Sequence, residues 1–374
     1  MSFIRTGTAV VLAGALALGA AACGSSDDNG GGGTGTSASG GGGDAPKIAL
    51  LLPESKTARY ENQDRPSFVR KVRELCPGCE VIYANAEQDA AQQQQQAEQA
   101  ITNGAKVLVI DAVDVRAAAA IANNARTQGV PVVSYARLID GADIDAYVSI
   151  DPFRVGQQQG EALLRALPNG GSRARIVMIN GSPTDSNSAP YKQGAHDVLD
   201  RAGVDVVKEY DTPDWSPDKA QTEMEQAITA AGKDGFAGVY SANDGMAGGA
   251  IAAMRANGID PRTKPVTGQD AEVAGLQRIL TGEQLMTVYQ PINQIASTAA
   301  ELAVPLARGE GVPTSVTTTE VDNNSSRRVP SVLLDTIAIT RDNIQSVIVR
   351  DGFATAAQIC TDAYRAACDA AGIR

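Results

Sequence analysis

Apolar residues come along this chain in short runs separated by amphipathic stretches. KIALLL (47–52), EVIYAN (80–85), KVLVIDA (106–112) and VPVVSYA (130–136) read as strands. Between them, 66–75, 90–102 and 117–128 carry apolar residues at helical spacing, and the glutamine run in 90–102 keeps that spacing through Ala97 and Ile101. Strands apolar on both faces and alternating with helices predict a parallel α/β sheet. The alternation then restarts. RIVMING (175–181), DVVKEY (205–210), FAGVY (236–240) and KPVTGQD (264–270) read as strands, with helices around 196–202, 221–231 and 248–257. Two series of the same kind predict two similar lobes, and 374 residues suffice for both.

The two series echo one another. GAKVLVIDAVD and QGVPVVSYAR can be laid beside GFAGVYSANDG and KPVTGQDAE, so that Ala136-Arg137 and Gln269-Asp270 fall at equivalent strand ends. In open parallel sheets, ligands bind at the carboxyl ends of strands, which makes these polar ends candidate contacts. SANDGMAGG (241–249) is another such end. It lacks the GK[ST] of a phosphate loop and suits a neutral, hydroxylated ligand. Of its Asn243-Asp244 pair, Asp244 is expected to cap the helix that follows.

Charge and composition exclude several classes. A net charge of −11 argues against nucleic acid and against a polybasic membrane contact. The one histidine, His196, is expected on a helix surface; with no compact ligand cluster, neither zinc nor any other metal or cofactor is expected. A glycosidase would need paired carboxylates, with Asp185 and Asp270 the available pair, and GxSxG is missing, so no enzyme is expected. Aromatics are scarce at 4%, and Trp215 is the single tryptophan; read alone it is core filler before it is a ligand contact.

The first residues read as a secretory signal, 1–22, too short in its apolar part for a membrane span. AAAC ending at Cys23 resembles a lipobox, with Ala20 where leucine is usual, and makes Cys23 the expected lipidated residue. Residues 23–46 are mostly Gly, Ser, Thr and Asp and read as a flexible leash. The other cysteines are even in number, as disulfides outside the cell require. Cys76 and Cys79 in CPGC suggest a local bridge at a helix end rather than redox chemistry, and a Cys360–Cys368 pairing would need a bend between them.

SKTARY (55–60), GAKVLVI (104–110), ARLIDGADIDAYVSID (136–151), GSPTDSN (181–187), SANDGMAGGAI (241–251), GQDAEVAG (268–275) and MTVYQPI (286–292) follow one another in an order that resembles the periplasmic sugar-binding proteins of ABC transporters, in their D-xylose-binding and multiple-sugar-binding branch. The resemblance runs from 47 to about 353. It implies the type I periplasmic binding protein fold: two lobes, each a parallel sheet flanked by helices, joined by three hinge crossings with a sugar between them. The lobes would be 47–149 plus 291–328 and 150–290 plus 329–353, followed by a tail, 354–374. It implies ligand contacts from Arg59, Arg137, Asp185, Asn187, Trp215, Asn243 and Asp270, with Tyr60, where relatives often have Trp, either stacking on the sugar or lining the mouth.

Two departures concern specificity. Relatives in this branch have Asp where this chain has Ala136, and xylose-type relatives have Lys where it has Gln290. One acid and one base are missing together, which suggests another pentose, a hexose or a polyol. The resemblance further implies a monomer that delivers its ligand to a permease and ATPase by lobe closure. A sensor that presents the loaded form to a membrane receptor would use the same pocket.

Overall fold

A computed structural model describes Ala45–Arg374; the signal segment, Cys23 and nearly all of the leash lie outside the described residues. The first lobe opens with β1 (Lys47–Leu52), α1 (Arg65–Leu75), β2 (Glu80–Asn85), α2 (Ala90–Thr102), β3 (Ala105–Ile110), α3 (Ala118–Thr127), β4 (Val132–Tyr135) and β5 (Ala146–Ile150). The chain then crosses to α4 (Pro152–Ala166), β6 (Arg175–Asn180), α5 (Ser188–Leu199), β7 (Asp205–Asp211), α6 (Pro217–Ala231), β8 (Gly238–Ser241), α7 (Asp244–Ala256), α8 (Val273–Thr281) and β9 (Thr287–Tyr289). It returns through α9 (Ile292–Ala307), β10 (Thr319–Val321) and β11 (Val329–Leu334), and ends on β12 (Ile337–Ile339), α10 (Ala356–Ile359) and α11 (Arg365–Ala371).

The first sheet has the order β10-β11-β5-β4-β3-β1-β2 and is parallel except for β10 against β11. The second is β7-β6-β8, all parallel, with β9 and β12 forming an antiparallel pair beside it. β1 shows why its run is wholly apolar. Ile48, Leu50 and Leu52 enter one core and Ala49 and Leu51 the other, so both faces are buried. α9 packs against α1 and the first sheet. Asp89 caps α2 by accepting the Ala91 and Gln92 N–H groups, and Asp151 caps α4 through the Arg154 N–H.

Several boundaries differ from the sequence expectation. Val329–Leu334, expected beyond the first lobe, pairs in parallel with β5 inside the first sheet, so the third crossing falls between Leu334 and Ile337. The segment 264–270 makes only an isolated bridge, Val239 to Val266, instead of a full strand. Pro265 has no N–H to give, and Gly268 yields its space to Asp244, whose Oδ1 would lie 2.1 Å from a Cβ there. Helix α4 was not foreseen. Its Gly156 lets α5 approach so closely that a Cβ would meet the Tyr191 carbonyl oxygen at 1.9 Å, and Gly194 does the same toward Phe153. Glycines that weaken the helical pattern here permit the packing.

The C-terminal residues are not a loose tail. Ile359, Cys368 and Ile373 share a core with Leu276, Ile279 and Ile344. A disulfide joins Cys360, just after α10, to Cys368 in α11 across a bend, with Cα atoms 5.8 Å apart. A second joins Cys76, at the end of α1, to Cys79. The loop closed by the C-terminal bridge stabilises by about 2–3 kcal/mol on chain-entropy grounds. The double variant Cys360→Ser/Cys368→Ser should lose that much in denaturant unfolding, and an unchanged midpoint would show that this segment does not unfold with the lobe.

Candidate functional site

The carboxyl ends of the strands in both sheets face each other, and the side chains at those ends surround one cavity. Arg59 and Tyr60 follow β1, Ala136 and Arg137 follow β4, and Ser149 lies in β5. From the other lobe, Asp185 and Asn187 follow β6, Trp215 follows β7, Asn243 follows β8, Asp270 ends the extended segment after α7, and Gln290 follows β9. The space among them, counted together with the part that opens to solvent, is about 410 Å³. All ten positions singled out from the sequence as ligand contacts line it. Thr57, Ser149, Tyr191 and Gln269 line it as well and were not foreseen, although Gln269 stands beside Asp270 at a strand end already marked.

Two buried arginines organise the walls. Arg59 donates from Nε and Nη2 to the two oxygens of Asp64 at 3.0 and 2.9 Å, a paired contact that fixes the guanidinium plane. Its Nη1 points at Gln290 Oε1, 3.3 Å away. Asp64 is fully buried and also accepts the Tyr135 hydroxyl. Arg137 donates to the Ala112 carbonyl at 2.8 Å and the Tyr60 hydroxyl at 3.2 Å, while its Nε lies 2.8 Å from Asp185 Oδ2. Burial works against the charge of Arg137, but Asp185, Tyr60 and Asp111 more than offset it and hold its pKa above the ordinary arginine value. Tyr60 lies in the cavity wall, 5% exposed, with Arg59 over its ring.

The second lobe supplies planar acceptors and an aromatic surface. Asp185 accepts the Trp215 indole N–H at 3.2 Å and the Asn187 backbone N–H at 2.8 Å. Trp215 meets Tyr191 edge to face, with ring centres 6.3 Å apart. Asp270 accepts from Gln290 Nε2 at 3.0 Å, and burial raises its pKa although Arg59 opposes this. Asn243, not Asp244, is the cap of α7: its Oδ1 accepts the Met246 N–H at 2.9 Å, which leaves its amide nitrogen for the cavity. Asp244 is fully buried behind it, accepting from Gln284, Thr287 and the Glu272 N–H. Two short polar residues in succession carry no sign of which one caps. His196 lies on α5 beside Asp200 and Glu209, away from the cavity lining.

Three wall residues adopt a left-handed backbone: Ala136 at φ 56°, Trp215 at φ 53° and Asp270 at φ 91°. Such conformations cost about 1–3 kcal/mol each outside glycine and persist where surrounding contacts hold them. For Ala136 the holding contacts converge on its carbonyl oxygen, which accepts from Ser149, Tyr147 and Asn187. The Asn187 contact reaches across from the other lobe. So do Leu138 N–H to Ser186 Oγ at 2.8 Å, Val115 N–H to the Thr184 carbonyl at 3.2 Å and Gln88 to the Asp214 carbonyl at 3.2 Å. The lobes therefore meet around the cavity rim. Among the described residues, no cluster of His, Cys, Asp or Glu is arranged to hold a metal ion, and no helix is long and apolar enough to cross a membrane.

A family model for the periplasmic binding protein domain matches residues 48–311. The chain belongs to this family. It is 36% identical over 311 residues to the D-xylose-binding periplasmic protein of Escherichia coli, which covers 82% of this chain and 90% of that one. A carbohydrate transporter solute-binding protein from Chloroflexus aurantiacus, solved in complex with D-glucose, superposes with a TM-score of 0.75 at 28% identity, over 84% of this chain and 98% of that one. The Caulobacter myo-inositol-binding protein superposes with a TM-score of 0.72 at 25% identity, over 84% of this chain and 98% of that one. The type I periplasmic binding protein fold read from the sequence is thus the fold observed, and the family is one of binding proteins rather than enzymes.

Trp215 has its seat only because residue 181 is glycine. A Cβ at Gly181 would stand 2.1 Å from the indole ring. Gly181→Ala should push the ring out, shift tryptophan emission to longer wavelength and cost about 1–3 kcal/mol of stability through overpacking. Unchanged emission and melting would mean that the ring has room the packing does not reveal.

Proposed function

We propose that this protein is the extracytoplasmic sugar-binding component of an ABC importer, tethered to the outer face of the cell membrane by a lipid on Cys23. It takes one monosaccharide between the lobes, and its ligand-loaded closed form is what the permease reads. The observation that carries this reading is the convergence of Arg59, Arg137, Asp185, Asn243, Asp270 and Trp215 from both lobes on one cavity. Sugar hydroxyls both donate and accept, and planar Arg, Asp and Asn groups engage adjacent hydroxyls in pairs. The C–H face of a pyranose matches the indole of Trp215. Hydrogen bonds to charged groups are worth about 1.5–3 kcal/mol each, so a handful exceeds the roughly 8 kcal/mol of micromolar affinity before ordering costs. A sugar that touches both lobes only when they meet shifts the population toward the closed form. The bonds already spanning the rim support such closure.

Ala136 and Gln290 bear on which sugar. With a methyl at 136 and a neutral amide at 290, this cavity lacks one carboxylate and one ammonium of the xylose-type site. Loss of one charged contact weakens binding by about 1.5–3 kcal/mol, or roughly tenfold to more than a hundredfold. The ligand is therefore a related pentose, hexose or polyol rather than D-xylose itself. A thermal-shift panel on residues 45–374 with D-xylose, D-ribose, L-arabinose, D-glucose, D-galactose, xylitol and myo-inositol tests this by mass action. The expected result is one large shift, from a compound other than D-xylose. A large and selective D-xylose shift would overturn the specificity assignment, and a flat panel would overturn the sugar reading.

A further inference from the structure

Tyr191 was not among the contacts expected from the sequence, yet it lines the cavity from the first turn of α5 and is 4% exposed. Its position is fixed from several sides. The Tyr191 N–H donates to the Asn187 carbonyl at 2.9 Å, and its own carbonyl oxygen lies where a Cβ at Gly156 would be 1.9 Å away. The ring packs edge to face with Trp215, which holds the phenol beside the indole.

The Tyr191 hydroxyl is used only in part. Gln269 Nε2 stands 3.4 Å from the hydroxyl oxygen and 3.4 Å from Asp270 Oδ1. A carboxylate only accepts, so it keeps the amide nitrogen turned toward it, and that nitrogen gives a proton to the phenol but cannot take one. Among the described residues, no group accepts the Tyr191 proton, whereas the buried phenols of Tyr135 and Tyr147 donate to Asp64 and to the Ala136 carbonyl. Burial, with Asp185 and Asp270 nearby, pushes the Tyr191 pKa up, so the phenol keeps its proton. The Asp270 carboxylate is also half used. The bonds it accepts from Gln290, at 3.0 Å, and from Gln269 both end on Oδ1, and among the described residues none reaches Oδ2.

We infer that Tyr191 is a further, specificity-determining sugar contact: its phenol donates to one ring hydroxyl of the bound sugar, and that hydroxyl donates in turn to Asp270 Oδ2. This rests on the sugar-binding reading above. A hydroxyl gives one proton and accepts others, so a single ligand oxygen satisfies the unused donor and the unused acceptor together. A site built to pair with a hydroxyl rejects an analogue that lacks it, because the buried groups are then left unmatched. Tyr191 also supplies a neutral donor to a wall where Gln290 offers no ammonium.

The test is calorimetric titration of residues 45–374, natural and Tyr191→Phe, with D-xylose, D-ribose, L-arabinose, D-glucose, D-galactose, xylitol and myo-inositol. The phenyl ring of the variant keeps the edge contact with Trp215, so ligand-free melting and Trp215 emission should not change. The sugar that the natural chain binds best should lose about three- to tenfold in affinity, the worth of one neutral hydrogen bond. Among the monodeoxy analogues of that sugar, the one lacking the contacted hydroxyl should bind both chains alike. Undiminished affinity in Tyr191→Phe, a loss of the same size for every analogue, or a loss accompanied by shifted Trp215 emission would each overturn the inference while leaving the sugar reading intact. Failure of every sugar to bind the natural chain would overturn the sugar reading and the role of Tyr191 with it. Should the variant fail to fold, a crystal structure of the natural chain with its best-bound sugar decides: a sugar oxygen within about 3 Å of the Tyr191 hydroxyl is expected, and a hydroxyl that reaches no sugar atom would overturn the inference.

Discussion

Two guanidinium groups buried between the lobes impose the main constraint on this molecule. Arg59 is 7% and Arg137 3% exposed, and a charge taken that far out of water must be matched. Each arginine is matched twice. Asp64 and Asp111 meet them from within the first lobe, and Asp270 and Asp185 come from the second. The inner partners can hold both guanidinium groups aimed at the cleft whether or not the lobes meet. The outer partners come from across the cavity. Both lobes therefore contribute to neutralising each guanidinium.

The backbone around the arginines is held just as tightly. Left-handed residues at Ala136, Trp215 and Asp270 stand at three different strand ends, each on the cavity wall. Glycines at 156, 181 and 194 bring helices and rings within distances that any side chain would forbid. Both features resist deformation inside a lobe.

The lobe framework was legible because buried parallel strands are apolar on both faces, and KIALLL or KVLVI has no other ready explanation. The site was legible in a different way. Strand ends marked the neighbourhood, but Arg59, Asn187 and Trp215 were singled out by family motifs, since a lone Trp or Asn has no periodic signature. What escaped detection did so for physical reasons. Helix α4 hides its period behind Gly156, Gly160 and three glutamines. β11 joins the first sheet by a pairing some 180 residues distant in sequence, which no local pattern encodes. Asp111 looked like one more polar strand end. Its place beside Arg137 and Asp185 depends on contacts that only the folded chain makes.

The central claim is that one sugar ring sits between these walls. The most direct measurement is a crystal structure of residues 45–374 grown with an equimolar mixture of the panel sugars. Density is expected for a single ring hydrogen-bonded to Arg59, Arg137, Asp185, Asn243 and Asp270, with one face on Trp215. A cleft holding only solvent, or a sugar bound elsewhere on the protein, would contradict it.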